Sequence, residues 1–352
     1  MKNVHFIVDM QFGSCGKGLF AGFLAQKVQP DTIVTAWAPN AGHTFRDDKA
    51  GINMVNIALP NGIVAPSVKR VMFGPGSVIN PEILDDEMSR YAGYMEYIDF
   101  VIHPHASVVT EEHRQIEAGY GFKIGSTMKG CGAALVDKIR RDPDRNNIAA
   151  VALRGTRFEF NVCSVEKYND CIDESRIMLV EGAQGFSLGI NNGFYPYTTS
   201  RECTVQQLMV DCALPSNLGL FVSHVHGVCR TYPIRVANRF KDGVQVGTSG
   251  PCYHDQHELE WSDLGMKAEL TTVTKLPRRI FNFSIEQIKQ AVRMNGVDDV
   301  FLNFANYPML KNNGFGQGLN GNIMTLVAGI NATGATVRWL GYGPSIEDIK
   351  EL

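Results

Sequence analysis

Apolar positions in this chain gather into short β-branched runs, most of them closed by glycine or by small polar residues. The first, Val4 to Val8, is too short for a helix and stops at a glycine cluster, so it reads as a buried strand. Gly13-Ser14-Cys15-Gly16-Lys17-Gly18 follows, and Leu19 to Lys27 then carries Leu19, Phe20, Phe23 and Leu24 along one side at helical spacing. The chain therefore opens as strand, glycine loop, helix. Further runs at Thr32 to Trp37, Val68 to Phe73, Ile177 to Val180, Leu218 to Ser223, Val300 to Phe304 and Thr336 to Leu340 mostly lead into loops bearing Gly, Asn or His. That rhythm predicts an α/β fold, with a mostly parallel central sheet flanked by helices. Helices are expected over Pro81 to Ala92 and Ile285 to Met294, the second opened by a capping box of Ser284 and Gln287. The polar stretch Arg140 to Asn147 is expected to be an exposed loop. With no repeat and no Pro/Ser linker, residues 1–352 read as a single domain.

Charge and composition narrow the function. Lys and Arg total 33 against 36 Asp and Glu, a formal net charge of −3 that offers no overall basic surface to a nucleic-acid polymer. The eight cysteines are scattered without a C-x-x-C pair, as in a protein of a reducing compartment. No stretch approaches the roughly 18 apolar residues that span a bilayer, so a soluble, cytoplasmic protein is expected.

A glycine loop between strand and helix points backbone N–H groups at the helix N-terminus, where an anion is favoured, and Lys17 adds a point charge. Two readings stand at this level: a cradle for a nucleotide phosphate, and a tight turn that simply needs glycine. A Walker A loop is excluded, because G-x-x-G-K-G has another glycine spacing and no Ser or Thr after the lysine. Asn40-Ala41-Gly42-His43-Thr44 follows the second strand, at the kind of strand end where α/β sheets carry their sites. Glu181-Gly182-Ala183-Gln184-Gly185 occupies a similar place, although its small residues also suit close packing. His224, His226, His254 and His257 lack the accompanying cysteine or carboxylate pattern of a zinc site.

Taken in order, Gln11-Phe12-Gly13-Ser14-Cys15-Gly16-Lys17-Gly18, Asn40 to Thr44, Gly125-Ser126-Thr127, Glu181 to Gly185 and Tyr195-Pro196-Tyr197-Thr198-Thr199-Ser200 resemble the signatures of the adenylosuccinate synthetase family. The likeness continues through Tyr232-Pro233-Ile234-Arg235-Val236, Thr274 to Arg279 and Gly343-Pro344. It implies that family's fold, with a P-loop-like phosphate-binding loop, and a two-step ligation that uses Mg²⁺. A purine 6-oxygen first takes the γ-phosphoryl group of a nucleoside triphosphate, and the aspartate amine then displaces that phosphate. On this resemblance Gly13, Ser14, Cys15, Gly16, Lys17 and Gly18 cradle the triphosphate with His43 and Thr44, and the Gly42 carbonyl and Ser14 lie at the metal. His43 is general acid toward the leaving diphosphate, and Gln184 orients the 6-oxygen. Asn40, Ser126, Thr127 and Thr199 bind the acceptor nucleotide, and Arg141 reaches the acceptor of a neighbouring subunit in a homodimer. Thr274 and Arg278 hold the carboxylates of aspartate, while Asn303, Asn306, Gly343 and Pro344 line the base of the triphosphate.

Three positions depart from the family. Its loop reads Gly-Asp-Glu-Gly-Lys-Gly, with the aspartate as base on purine N1, whereas this chain has Ser14. Losing a positioned base costs roughly 10²- to 10⁴-fold, and Asp9 and a phosphate-bound water both stand as replacements. Leu276 occupies the place of an arginine that reaches the ribose 2′-hydroxyl, and Asn306 that of a guanine-selecting carboxylate, which favours ATP or dATP over GTP. Together these are similar to the phage-encoded branch that joins aspartate to dGMP. Ligation to IMP and a catalytically silent nucleotide-binding regulator are the competing readings.

Overall fold

The protein is described by a computed structural model that covers residues 2–215, 221–270, 276–307 and 323–352. Within it a nine-stranded sheet runs Ile349–Glu351, Thr336–Gly341, Asp299–Asn303, Phe221–Arg230, Lys2–Asp9, Ile177–Glu181, Thr32–Thr35, Arg70–Phe73 and Asp99–Ile102. Every pairing in it is parallel except that of the Ile349–Glu351 edge strand. The expected α/β class is thereby realised. The first strand is buried on both faces, Val4, Phe6 and Val8 packing into one core and Ile7 into the other, as the two-residue period of a strand requires.

Helix Lys17–Val28 follows the glycine loop and is buried almost all round, with Phe20 stacked on Phe301 at 5.0 Å. Gly22 is needed where it crosses the hairpin His43–Asp47/Ile52–Asn56, since a Cβ there would lie 2.1 Å from the Phe45 ring. That hairpin corrects the sequence reading, which left Asn40 to Thr44 as loop. His43, Phe45 and Asp47 face inward while Thr44 and Arg46 face out, and the polar members of the inward row hide the alternation. Asp99–Ile102 and Ile349–Glu351 were likewise unexpected, being only four and three residues long.

Other boundaries move for identifiable reasons. Part of the expected strand Leu218 to Ser223 lies outside the described residues, and the strand observed runs on to Arg230 despite His224 and His226. Helix Pro81–Arg90 opens under Asn80, whose side chain accepts from the Glu82 and Ile83 amides. Ser284 caps helix Ile285–Asn295 by accepting the Gln287 amide at 2.9 Å, but the Gln287 side chain donates to Ser187 Oγ instead, so the box is half formed. Arg140 to Asn147 is largely exposed, beginning where Arg141 ends helix Cys131–Arg140 with φ 56°. No helix among the described residues is long and apolar enough to cross a membrane.

Candidate active site

Because neighbouring strands are parallel, the carboxyl ends of Lys2–Asp9, Thr32–Thr35, Ile177–Glu181, Phe221–Arg230 and Asp299–Asn303 meet along one edge of the sheet. Asp9 ends the first of them, and its buried carboxylate organises the loop that follows. One oxygen accepts the amides of Gln11 (2.9 Å) and Gly13 (3.2 Å), the other that of Cys15 (3.3 Å) and the Lys17 ammonium (3.4 Å). Gly13 and Gly16 are left-handed at φ 84° and 93°, and Ser14 joins them at 58°. Ser14 is the exposed residue of a loop that is otherwise buried or, at Gly16, half-buried. The Cys15 thiol is fully buried and donates to the Gln11 side chain; burial, then Asp9, pushes its pKa well up, which makes it inert.

The two other glycine-bearing loops close on this one. Lys17 Nζ donates to the Gln184 carbonyl at 2.6 Å, and a Cβ on Gly185 would lie 2.3 Å from the Gly13 nitrogen. Gln184, left-handed at φ 61°, donates its side-chain amide to Asn40 Oδ1 at 2.8 Å. His43 is buried and stacked on Trp37, ring centroids 3.9 Å apart and 12° from parallel. Burial, then the Lys17 charge, lowers its pKa to about 3, so among these protein groups alone the imidazole is neutral. The indole is held in turn by donating to the Glu181 carbonyl at 3.0 Å. The Glu181 carboxylate accepts the Asn61 and Gly62 amides, and burial raises its pKa to about 7 against the pull of those two donors.

Asn303, expected at the nucleotide base, is buried and spends its amide on the loop: it donates to the Cys15 carbonyl at 3.1 Å and accepts the Phe304 amide. A Cβ on Gly16 would lie 2.3 Å from that Asn303 nitrogen. Asn306 lies on the turn just beyond, and Gly343 and Pro344 follow the adjacent Thr336–Gly341 strand. Thr199 is tied to the Gln184 loop through its amide, which donates to the Leu188 carbonyl at 2.8 Å. Ser126 and Thr127 stand farther along, where the Ser126 hydroxyl donates to Glu117 and its carbonyl accepts from Arg239. Arg141 is exposed and carries no ion pair among the described residues. Thr274 lies outside the described residues, and Leu276 is exposed.

Trp37, Arg230, Glu269 and Tyr307 were not singled out from sequence. Arg230 had a signal, a lone charge closing the apolar end of a strand whose carboxyl terminus faces the site. For a metal, Ser14 Oγ and the Gly42 carbonyl are neutral oxygens, and Asp9 is already saturated by the loop. Such a donor set suits Mg²⁺ only when phosphate oxygens complete it.

The sequence profile of the family described as adenylosuccinate synthetase matches residues 6–147 and 145–307. The chain is 47% identical to the N6-succino-2-amino-2′-deoxyadenylate synthase of Salmonella phage PMBT28, over 99% of this chain and 97% of that protein. To the adenylosuccinate synthetase of Pyrococcus horikoshii it is 28% identical, over 82% of this chain and 80% of that one. Among solved structures it is similar to the cyanophage S-2L succinoaminodeoxyadenylate synthetase bound to dGMP and to dATP as an energy donor. The TM-score is 0.89 at 41% identity, covering 100% of this chain and 95% of that one.

Proposed function

The chain belongs to the adenylosuccinate synthetase family, and from that premise we propose that it joins L-aspartate to the 6-position of dGMP with ATP or dATP as phosphoryl donor. The product is 2-amino-deoxyadenylosuccinate, a precursor of 2-aminoadenine deoxynucleotides. Guanine O6 attacks the γ-phosphorus and the nucleoside diphosphate leaves; the aspartate amine then attacks C6 of the 6-phosphoryl intermediate and expels phosphate.

The loop supports the first step through Lys17 and the Gly16 and Gly18 amides, which offer fixed charge where negative charge moves. His43, stacked face to face on Trp37, gives its proton to the leaving diphosphate. Gln184 and Asn40, already hydrogen-bonded to each other, orient the 6-oxygen. Thr127 and Thr199 hold the acceptor phosphate, with Ser126 in the same dGMP site, and Arg278 holds a carboxylate of aspartate as a cationic fork. When bound with the triphosphate, Mg²⁺ supplies charge neutralisation on the phosphate oxygens, beside Ser14 and the Gly42 carbonyl. Asp9, with its oxygens engaged by three amides and Lys17, is the anchor of the loop and not the missing base. Arg141 reaches the acceptor site of a second copy, and each subunit is one continuous domain. Nucleotide substrates put the enzyme in the cytoplasm, that of the host for a phage protein.

Ser14 carries the acceptor assignment. Its exposed, short side chain leaves room beside purine N1 for the 2-amino group of guanine and can accept a hydrogen bond from it. Leu276, where the family has an arginine for the ribose 2′-hydroxyl, suits a deoxynucleotide. The test is product formation from dGMP, aspartate, ATP and Mg²⁺ with mass detection: an aspartate adduct of dGMP is expected, and absence of any adduct with active, folded protein contradicts the reading.

A further inference from the structure

Arg230 closes the strand Phe221–Arg230 with its side chain fully buried, and none of the chemistry above uses it. Its Nη1 donates to the Ser14 carbonyl (3.2 Å) and to Glu269 Oε2 (3.3 Å), and its Nη2 to Glu269 Oε1 (2.5 Å) and the Tyr307 hydroxyl (2.6 Å). Tyr307 donates in turn to Glu269 Oε1 at 2.8 Å, and the guanidinium lies 3.9 Å from the centre of the Phe304 ring. Both carboxylate oxygens of Glu269 are thus taken. Only the Arg230 side of the pair is fully buried, Glu269 being 32% exposed, yet burying that cation costs hydration that an apolar side chain would not lose, and Arg230 Nε is left buried without a partner.

Glu269 is also the neighbour of Arg278. The Arg278 amide donates to the Glu269 carbonyl at 2.8 Å, and Leu270 bridges Pro277 in antiparallel fashion. The Arg278 side chain has no ion pair of its own among the described residues, yet it feels both charges: burial lowers its pKa, Glu269 pulls it back up and Arg230 pushes it down again. A carboxylate on the residue whose backbone pairs with Arg278 is at high effective concentration, and once released it would compete with any dissolved carboxylate for the same fork.

We propose that Arg230 is a positioning residue for aspartate: by occupying Glu269 it keeps that carboxylate off Arg278 and leaves the Arg278 guanidinium open for a substrate carboxylate. The inference rests on the reading of Arg278 as the aspartate clamp. Steady-state kinetics on the full chain with dGMP, ATP and aspartate test the two separately. Arg278→Leu tests the clamp, and an unchanged aspartate KM there removes that reading and this inference with it. With the clamp upheld, Arg230→Gln raises the aspartate KM by about tenfold or more, well beyond any change in the dGMP KM. Adding Glu269→Gln brings the aspartate KM back toward its original value, and Arg230→Lys, which keeps the cation, holds it low. A rise that persists in the double variant, or an equal rise for dGMP, overturns the proposal by showing a merely structural role. Should Arg230→Gln not fold, Tyr307→Phe takes its place: a smaller rise in aspartate KM, cancelled by Glu269→Gln, is expected, and no rise or an uncancelled one overturns the proposal.

Discussion

His43 shows how a single side chain is tuned by its surroundings. Packed under Trp37 and near Lys17, it is lowered to a pKa of about 3 by burial and the Lys17 charge, yet a general acid must carry a proton. A bound triphosphate offsets the Lys17 charge and adds negative charge of its own, so it raises the imidazole pKa and draws a proton in. Because the neutral form dominates above about pH 3 before binding, uptake is expected at neutral pH and triphosphate affinity should rise as pH falls. Calorimetry of ATP binding in buffers of different ionisation enthalpy should register this uptake, and His43→Asn should abolish it while lowering kcat by roughly two orders of magnitude. Binding without proton uptake would leave His43 no role as acid. At this scale the sequence marked Lys17, His43 and Gln184 through their loops, but Trp37 read as the end of an apolar run and Glu269 was not singled out. The acceptor of the Trp37 indole, Glu181, and the cation on Glu269, Arg230, are 144 and 39 residues away, so only the fold discloses them.

Among elements, the glycine loop was the most legible, because strand, glycines and helix are each written locally. The hairpin that brings His43 over the helix was not, since His43 and Asp47 sit on its buried row. The Ser284 box misled for a related reason: Gln287 is used by Ser187, 100 residues away. The loop's geometry is testable by comparing two left-handed glycines. Gly16, at φ 93°, has the Asn303 amide where a Cβ would go, whereas Gly51, at φ 70°, has open space. Both alanine variants should lose stability, by about 1 to 3 kcal/mol from the backbone alone, seen as a lower Tm. Gly16→Ala should also raise the KM for ATP, because Asn303 must release the Cys15 carbonyl, while Gly51→Ala should not. Equal KM values in the two would detach the Asn303 contact from nucleotide binding.

For the whole molecule, the parallel sheet explains why residues from opposite ends of the chain share one edge, and its class followed from the apolar runs alone. What composition and pattern withheld was the acceptor, which the resemblance reads from Ser14 and Leu276, and the proposed two-chain site, which rests on Arg141. Arg141 is exposed and without an ion pair among the described residues, which leaves it free for the proposed role in a second subunit. Mixing Arg141→Leu chains with Lys17→Ala chains should recover part of the activity that each lacks, since one site of the hybrid is then intact. No recovery in verified mixed dimers would confine the arginine to its own chain. The central claim is the choice of acceptor, and it is tested most directly by competition among dGMP, GMP and IMP at limiting enzyme with aspartate and ATP saturating. An unpaired 2′-hydroxyl in a closed site costs roughly 1 to 3 kcal/mol, so dGMP should lead GMP by about tenfold, with IMP poorest; adenylosuccinate from IMP as the main product would contradict the account.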